Sequence, residues 1–406
     1  MPTEETSMID RRQFIKGASA LLALPMFQAS PAFAQAAKMA MGAGLAQEPG
    51  ALVLRIQQEK LLDKAAQELG LAGIDAEFLS FPVLLRMLQG IAAGQLQFGT
   101  LGSTPCIRAL TGPDPVVPIA IVGGGNTFPL QVPPNSPIHN LDDLKGKTVL
   151  TIVGSDLHLM FSRMLKAQFG VEDPKELGIN LRNMNALTEL TRAQSGVDAF
   201  VSLIPQAIAA ERAGDLVTVL RNDGKTGAAY DGPEGKGAGK TIASFARTPF
   251  APEAYYPHRI WLVVRRDYLA ANPKVVTALL VANHRAVVSL VKAGTDEIVR
   301  VGSPNWGATP EAQKAWIDTV LWKRRGWSWI TEGDANTLVG LSTTKAIFQA
   351  ALEPDAAKKT FALGADVSKA AYEVVGRVPE RAAFDDIRGD TRGKPVWEIA
   401  SWNLKA

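Results

Sequence analysis

Four histidines, one cysteine and three glycine- or base-rich clusters are the places in this sequence where residue type could support chemistry. His139, His158, His258 and His284 lie far apart, and no pair has the HxxxH spacing that sets two imidazoles on one helix face for a metal. Cys106 is the single cysteine, which excludes an intrachain disulfide and a cysteine-rich metal site and fits a small buried side chain better than a nucleophile. The stretch from Gly235 to Thr241 looks like a phosphate loop, but the position five before Gly239 is Glu234 rather than glycine, and no hydrophobic strand leads into it. Gly123-Gly124-Gly125 follows an apolar strand, yet the third glycine of a dinucleotide fingerprint would fall at Phe128. Basic and aromatic residues interleave from Trp322 to Trp327. The helix dipole and a glycine stop at Gly326 explain them better than a nucleic-acid surface does. Neither a G-x-S-x-G elbow nor a cofactor motif appears, so the residues predict a protein that is not an enzyme and holds no cofactor.

A different chemistry recurs along the chain, in hydroxyl-bearing helix starts placed just after strand ends. Ser80 precedes Pro82, Gly102-Ser103-Thr104 precedes Pro105, Ser155 and Asp156 follow Val153, and Ser202 lies near Pro205. Each junction presents unsatisfied backbone N–H groups and the positive end of a helix dipole. Several of them at the carboxyl edges of two parallel sheets would hold a small anionic or polar molecule. The candidate ligand-binding residues are therefore Ser80, Gly102, Ser103, Thr104, Ser155, Asp156 and Ser202.

The elements that must carry these tips follow a strand-helix alternation. Residues 36–50 are expected to be a loose joint rich in alanine and glycine, followed by a strand at 52–56 and a helix at 59–69 with Gly70 as its stop. A strand at 74–78, a helix at 82–93, a strand at 97–101 and a helix opening at Gly102-Ser103-Thr104-Pro105 come next. The pattern repeats with a strand at 148–153, a helix from Ser155 to Gly170, helical turns at 186–193, a strand at 199–203 and a helix at 205–213. The spacing then predicts a strand at 260–264, helices at 273–292 and 310–325, and a polar helical remainder from Glu353. Strands separated by helices of this length pair in parallel, so the fold class is α/β. Residues 224–240 are glycine-rich and are expected to be a mobile surface loop.

Bulk properties agree with a two-domain globular chain. It has 406 residues, 20% of them charged, and a formal net charge of +3, which gives no general attraction to nucleic acid. At the N-terminus, Arg11-Arg12 precede an apolar stretch, and Ala32-Phe33-Ala34 supplies a small-x-small cleavage pattern, with Gln35 as the expected mature start. Twin arginines with weak hydrophobicity resemble a Tat signal, and a Sec signal is the alternative. No later segment is expected to reach the roughly 18 apolar residues of a membrane helix, so export to the periplasm as a soluble protein is the expectation.

The ordered set of motifs resembles the nitrate/sulfonate/taurine group of ABC-transporter substrate-binding proteins, which includes the NMT1/THI5-like proteins. The resemblance is carried by residues 81–88 with Gly90, 93–99 running into Gly102-Ser103-Thr104-Pro105, and Ser136-Pro137-Ile138 with 141–147. Gly154-Ser155, Gly196-Val197-Asp198-Ala199 leading to Pro205, and Tyr256 to Tyr268 running up to Asn272-Pro273 complete it. It implies a type II periplasmic-binding-protein fold, two α/β lobes joined by a two-strand hinge near Ser136 and His258. Lobe 1 would be 50–136 with 258–350, lobe 2 would be 138–257, residues 1–34 the signal peptide and 353–406 a C-terminal helical extension. The implied activity is capture of a nitrate-, sulfonate- or carboxylate-like solute for an ABC permease and its ATPase, by a monomer. The family's Trp-Asp pair before the proline is here Leu203-Ile204, which removes an acidic partner for a taurine-like amine. Two other uses of the fold stay open, a pyrimidine-forming enzyme with pyridoxal phosphate on a cleft lysine and a sensor working without a transporter.

Overall fold

Two five-stranded sheets organise the chain. The computed structural model describes residues 36–376, apart from 46, 82–83, 113–115, 125–127, 185–186, 222–223, 243–257, 307, 321, 324–329 and 331. The twin arginines, the expected cleavage site and the chain after 376 lie outside the described residues.

The first sheet comprises β1 (Ala37–Ala43), β2 (Ile74–Ser80), β3 (Phe98–Gly102), β4 (Val116–Gly124) and, from much later in the chain, β10 (Arg259–Arg265), in the order β2-β1-β3-β10-β4. The second comprises β5 (Pro129–Val132), β6 (Thr148–Thr151), β7 (Asn180–Asn183), β8 (Ala199–Val201) and β9 (Val217–Arg221), in the order β7-β6-β8-β5-β9. β1 pairs in parallel with β2 and β3, and β6 with β7 and β8. One strand in each sheet is antiparallel. β10 runs against β3 and β4, and β5 against β8 and β9. These are the strands that enter as the chain passes between sheets, from β4 to β5 and from β9 to β10. The first passage lies between Gly124 and Pro129, upstream of the expected crossing near Ser136, because β5 already belongs to the second sheet.

Helices cover the sheets. α1 (Pro49–Gln58), α2 (Leu61–Glu68), α8 (Pro273–Ala293), α9 (Thr295–Trp306) and α10 (Pro310–Ile317) share one core with Met39, Met41 and the Val122 and Leu262 side of the first sheet. α3 (Leu84–Ala92), α4 (Ser103–Thr111), α5 (Asp156–Phe169) and α11 (Glu332–Ser342) contribute to a second core that runs on into the second sheet. α6 (Gln206–Ala213) adds Ala210 to it, and α7 (Arg266–Ala271) follows β10 directly. α8 is long and apolar enough, by length and composition, to cross a membrane. Its Val275–Leu290 stretch is instead largely buried against its neighbours, as in the core helix of a globular body.

Several expectations are corrected. The loose joint contains β1, the central parallel strand beside β2 and β3. Its small residues hide a period-two signal but are what close packing needs, since a Cβ on Gly42 would lie 2.6 Å from Met87 Cγ. The expected strand at 52–56 is the middle of α1, because Pro49 opens a first helical turn and Leu52, Val53 and Ile56 are all buried on it. Among the described residues of the helix expected at 186–193, a 3-10 turn spans Leu187–Leu190, and α10 stops at Ile317. The glycine-rich stretch from 224 is folded onto the second sheet. Thr226 and Tyr230 are buried, the Thr226 hydroxyl donates to the Gly237 carbonyl at 2.7 Å, and the Tyr230 hydroxyl is bound to Glu234. Nor is the helix after Glu353 an appendage. α12 (Pro354–Val375) seats Phe361 edge-on to Trp261 at 6.0 Å, and its Ser368 hydroxyl donates to the Ile119 carbonyl at 3.0 Å.

Candidate ligand-binding cleft

The carboxyl ends of β1, β2, β3 and β4 share one edge of the first sheet, and Arg259 at the start of β10 pairs there with Gly124. In the second sheet, Thr151, Asn183 and Val201 end parallel strands at one edge, where Pro129 enters beside Arg221. Both passages of chain join these two edges, and loops at such strand ends build ligand sites in open α/β sheets.

Between the edges, a carboxylate from the first turn of α5 reaches the start of α4. Asp156 accepts the Ser103 N–H at 3.0 Å on Oδ2 and the Thr104 N–H at 2.6 Å on Oδ1. The carboxylate is only 7% exposed. It sits in the first turn of α5 and caps the first turn of α4, so two helix dipoles point their positive ends at one negative charge. Gly102 makes the approach possible, since a Cβ there would stand 2.1 Å from Asp156 Oδ2. The same pair of helices meets again where the Arg108 guanidinium lies against the Gly154 turn. Ser103 is further fixed by the indole of buried Trp261, which donates to its hydroxyl at 3.4 Å.

Other buried polar groups line the same edges. Glu48, 1% exposed, accepts the Gly124 N–H at 2.7 Å. Gly124 has φ +115, and a Cβ there would meet the His258 carbonyl at 2.3 Å, so glycine is required on both counts. His258 packs against Phe128 with ring centroids 4.6 Å apart and the rings tilted by 60°, and burial, reinforced by adjacent Arg259, lowers its pKa to about 3. His158 Nδ1 accepts the Gly154 N–H at 3.1 Å, and burial lowers its pKa to about 4, with Asp173 opposing and Arg108 adding to the shift. Both imidazoles are neutral near pH 7. The Cys106 thiol, in the first turn of α4, is pushed well up by burial and by the Asp156 charge, which suits packing rather than nucleophilic attack. Three hydroxyls at these edges, on Thr104, Thr151 and Ser202, are wholly buried and have no hydrogen-bond partner among the described residues. An unpaired buried hydroxyl is costly, and a bound molecule or ordered water is the usual remedy.

A family model described as NMT1/THI5 like matches residues 66–293, more than half of the chain. The chain belongs to the NMT1/THI5-like family. Its fold matches that of solved periplasmic binding proteins. The alkanesulfonate-binding protein SsuA from Xanthomonas axonopodis pv. citri, bound to MOPS, is 16% identical with a TM-score of 0.58, over 80% of this chain and 98% of that one. The periplasmic nitrate-binding protein NrtA from Synechocystis PCC 6803 is 14% identical with a TM-score of 0.59, over 89% of this chain and 93% of that one. The desulfurization enzyme DszB is 14% identical with a TM-score of 0.51, over 84% of this chain and all of that one, so the fold alone does not separate binding from catalysis. No curated protein matches the sequence.

In this NMT1/THI5-like chain the sequence-derived residues fall into two groups. Gly102, Ser103, Thr104 and Asp156 come together, and buried Ser202 lies at the facing edge, its N–H donating to the Pro129 carbonyl at 2.8 Å. Ser80 is exposed at the end of β2, two strands away from Gly102. The Ser155 hydroxyl is engaged within its own turn, accepting from Leu157 N at 3.2 Å and donating to the Ile152 carbonyl at 2.7 Å. Glu48 and His258 escaped the sequence reading as site residues. Glu48 stands immediately before a helix-opening proline, a position that could have marked it. His258 was marked only as a place near the expected hinge, because its setting beside Gly124 depends on β10 entering the first sheet from far along the chain.

Proposed function

We propose that this protein is an extracytoplasmic solute-binding protein of an ABC importer, taking a small polar molecule into the cleft between its two sheets. One observation carries the reading. The start of α5 reaches the start of α4 through Asp156, and at these strand ends three buried hydroxyls, on Thr104, Thr151 and Ser202, have no hydrogen-bond partner among the described residues. The solved neighbours named as binding sulfonate and nitrate support it, as does the family. A lobe around the first sheet and a lobe around the second would close on the ligand, and the closed face would be read by the permease. The N-terminal twin-arginine segment would deliver the folded chain to the periplasm, where it would work as a monomer. Catalysis through an aldehyde cofactor draws no support from the described strand-end residues 44–45, 47–48, 102–104, 152–156 and 202–205, which include no lysine.

Calorimetry and thermal-shift titration of the chain from Gln35 test the proposal, with sulfonates, nitrate, carboxylates, amines and amino-pyrimidines as ligands. Binding in the nanomolar to micromolar range, worth about 8–12 kcal/mol, is expected for one class. Silence across the whole panel counts against a transport role.

A further inference from the structure

The first turn of α4 is where a helix start would hold an anionic ligand, and the protein's own carboxylate is already there. Asp156 takes the N–H groups of both Ser103 and Thr104. It is more than nine-tenths buried, and a glycine at 102 leaves room for its carboxylate, which a Cβ there would meet at 2.1 Å. A second buried carboxylate, Glu48, holds the Gly124 N–H at the same edge of the first sheet. The guanidinium of buried Arg259, whose backbone pairs with Gly124, donates to the His258 carbonyl at 2.9 Å. Among the described residues, the buried side-chain atoms at these edges that lack a hydrogen-bond partner are Thr104 Oγ1, Thr151 Oγ1, Ser202 Oγ, His258 Nδ1 and the Gln206 side-chain carbonyl in the first turn of α6, all on neutral side chains, while the cationic Arg259 beside them is engaged.

We infer that Asp156 is the resident anion of this cleft, filling the α4 seat so that the chain takes an uncharged or cationic hydrogen-bonding solute in place of a sulfonate or nitrate. The inference rests on the solute-binding reading and narrows its ligand class. An incoming anion would have to displace a carboxylate held by two amides, or lie beside it in a poorly solvated site where like charges repel strongly. A neutral or cationic molecule meets neither obstacle. It can pair with hydroxyls that both donate and accept, and with an amide carbonyl that only accepts.

The test compares the wild-type mature chain with Asp156→Ala and Asp156→Asn, using methanesulfonate and nitrate as anion probes and a panel of alkylamines and amino-pyrimidines. Wild type is expected to show no anion-dependent stabilisation. Asp156→Ala, with its amides freed, should gain methanesulfonate or nitrate binding by roughly tenfold or more, and Asp156→Asn, which keeps the shape and loses the charge, should gain part of it. The Asn variant serves where the Ala variant fails to fold, as judged by circular dichroism. Wild type binding methanesulfonate or nitrate as tightly as the variants overturns the inference while leaving the solute-binding reading intact. Folded variants that gain no anion affinity overturn it as well. If a variant gains anion binding while wild type binds no member of either panel, the resident anion stands and the transport reading falls.

Discussion

At the scale of single residues, the contact between Gly102 and Asp156 is the one on which most depends. Gly102→Ala places a methyl group inside the van der Waals radius of Asp156 Oδ2. It should destabilise the protein by about 1–3 kcal/mol, the usual cost of overpacking. Combined with Asp156→Ala it should cost much less than the two separate losses added together, because both act on one contact. Urea unfolding of the two single variants and the double variant measures this, and strict additivity would disprove the coupling. Glu48→Ala should cost about 1–3 kcal/mol by leaving the Gly124 N–H without its acceptor. The amide proton of Gly124 should then exchange faster than in wild type.

At the scale of elements, α12 shows why composition alone misleads. Its sequence is alanine-rich and polar, with an apolar face narrow enough to pass for a tail, yet that face lies on β4. Gly364 is so close that a Cβ would meet the Pro118 carbonyl at 2.4 Å. Phe361→Ala should therefore cost about 3–5 kcal/mol, as for a buried core aromatic, and a chain ended before Pro354 should fail to give a cooperative melt. A full-length melt with unchanged midpoint after Phe361→Ala would mean that the helix is dispensable. β1 is the reverse case. Alanine, methionine and glycine give weak strand propensity; the close approach of Met87 on α3 explains the glycine at 42, while Met39, Met41 and Ala43 pack into the core shared with α1 and α8.

Two predictions belong to the whole molecule. His158, His258 and His284 are buried, and burial lowers their pKa values to about 4, 3 and 4 from an ordinary 6.5. Between these limits the unfolded chain binds protons that the folded chain refuses. Stability therefore rises with pH through this window, is fully present above about pH 6.5, and drains away as the pH falls toward 4. Each histidine adds a slope of at most about 1.4 kcal/mol per pH unit. Urea midpoints between pH 7 and 4.5 should fall accordingly, and His284→Gln should flatten the decline. The second prediction concerns export. Residues 1–34 fused to a folded reporter should deliver it to the periplasm, and Arg11→Lys with Arg12→Lys should abolish delivery if the pair is read as a twin-arginine signal.

How much was legible in the sequence follows the range of the forces involved. Helix stops at Gly70 and Gly170, the cap at Ser155, the apolar strand at 260–264 and the α/β alternation are local patterns, set by backbone sterics and side-chain periodicity within a few residues, and the structure bears them out. The hydroxyl-bearing turns at Ser103, Thr104 and Ser202 were local too, and so could be named in advance. What the tertiary structure alone decided is contact across sequence distance. It placed β10 between β3 and β4, moved the first passage between the sheets to Gly124–Pro129, and brought Glu48 to Gly124. Above all it turned Asp156 from a ligand-facing residue at one helix start into the acid that caps another, 53 residues from Ser103. A carboxylate beside a helix start attracts a ligand or replaces one according to where the second helix lies, and no local pattern carries that information.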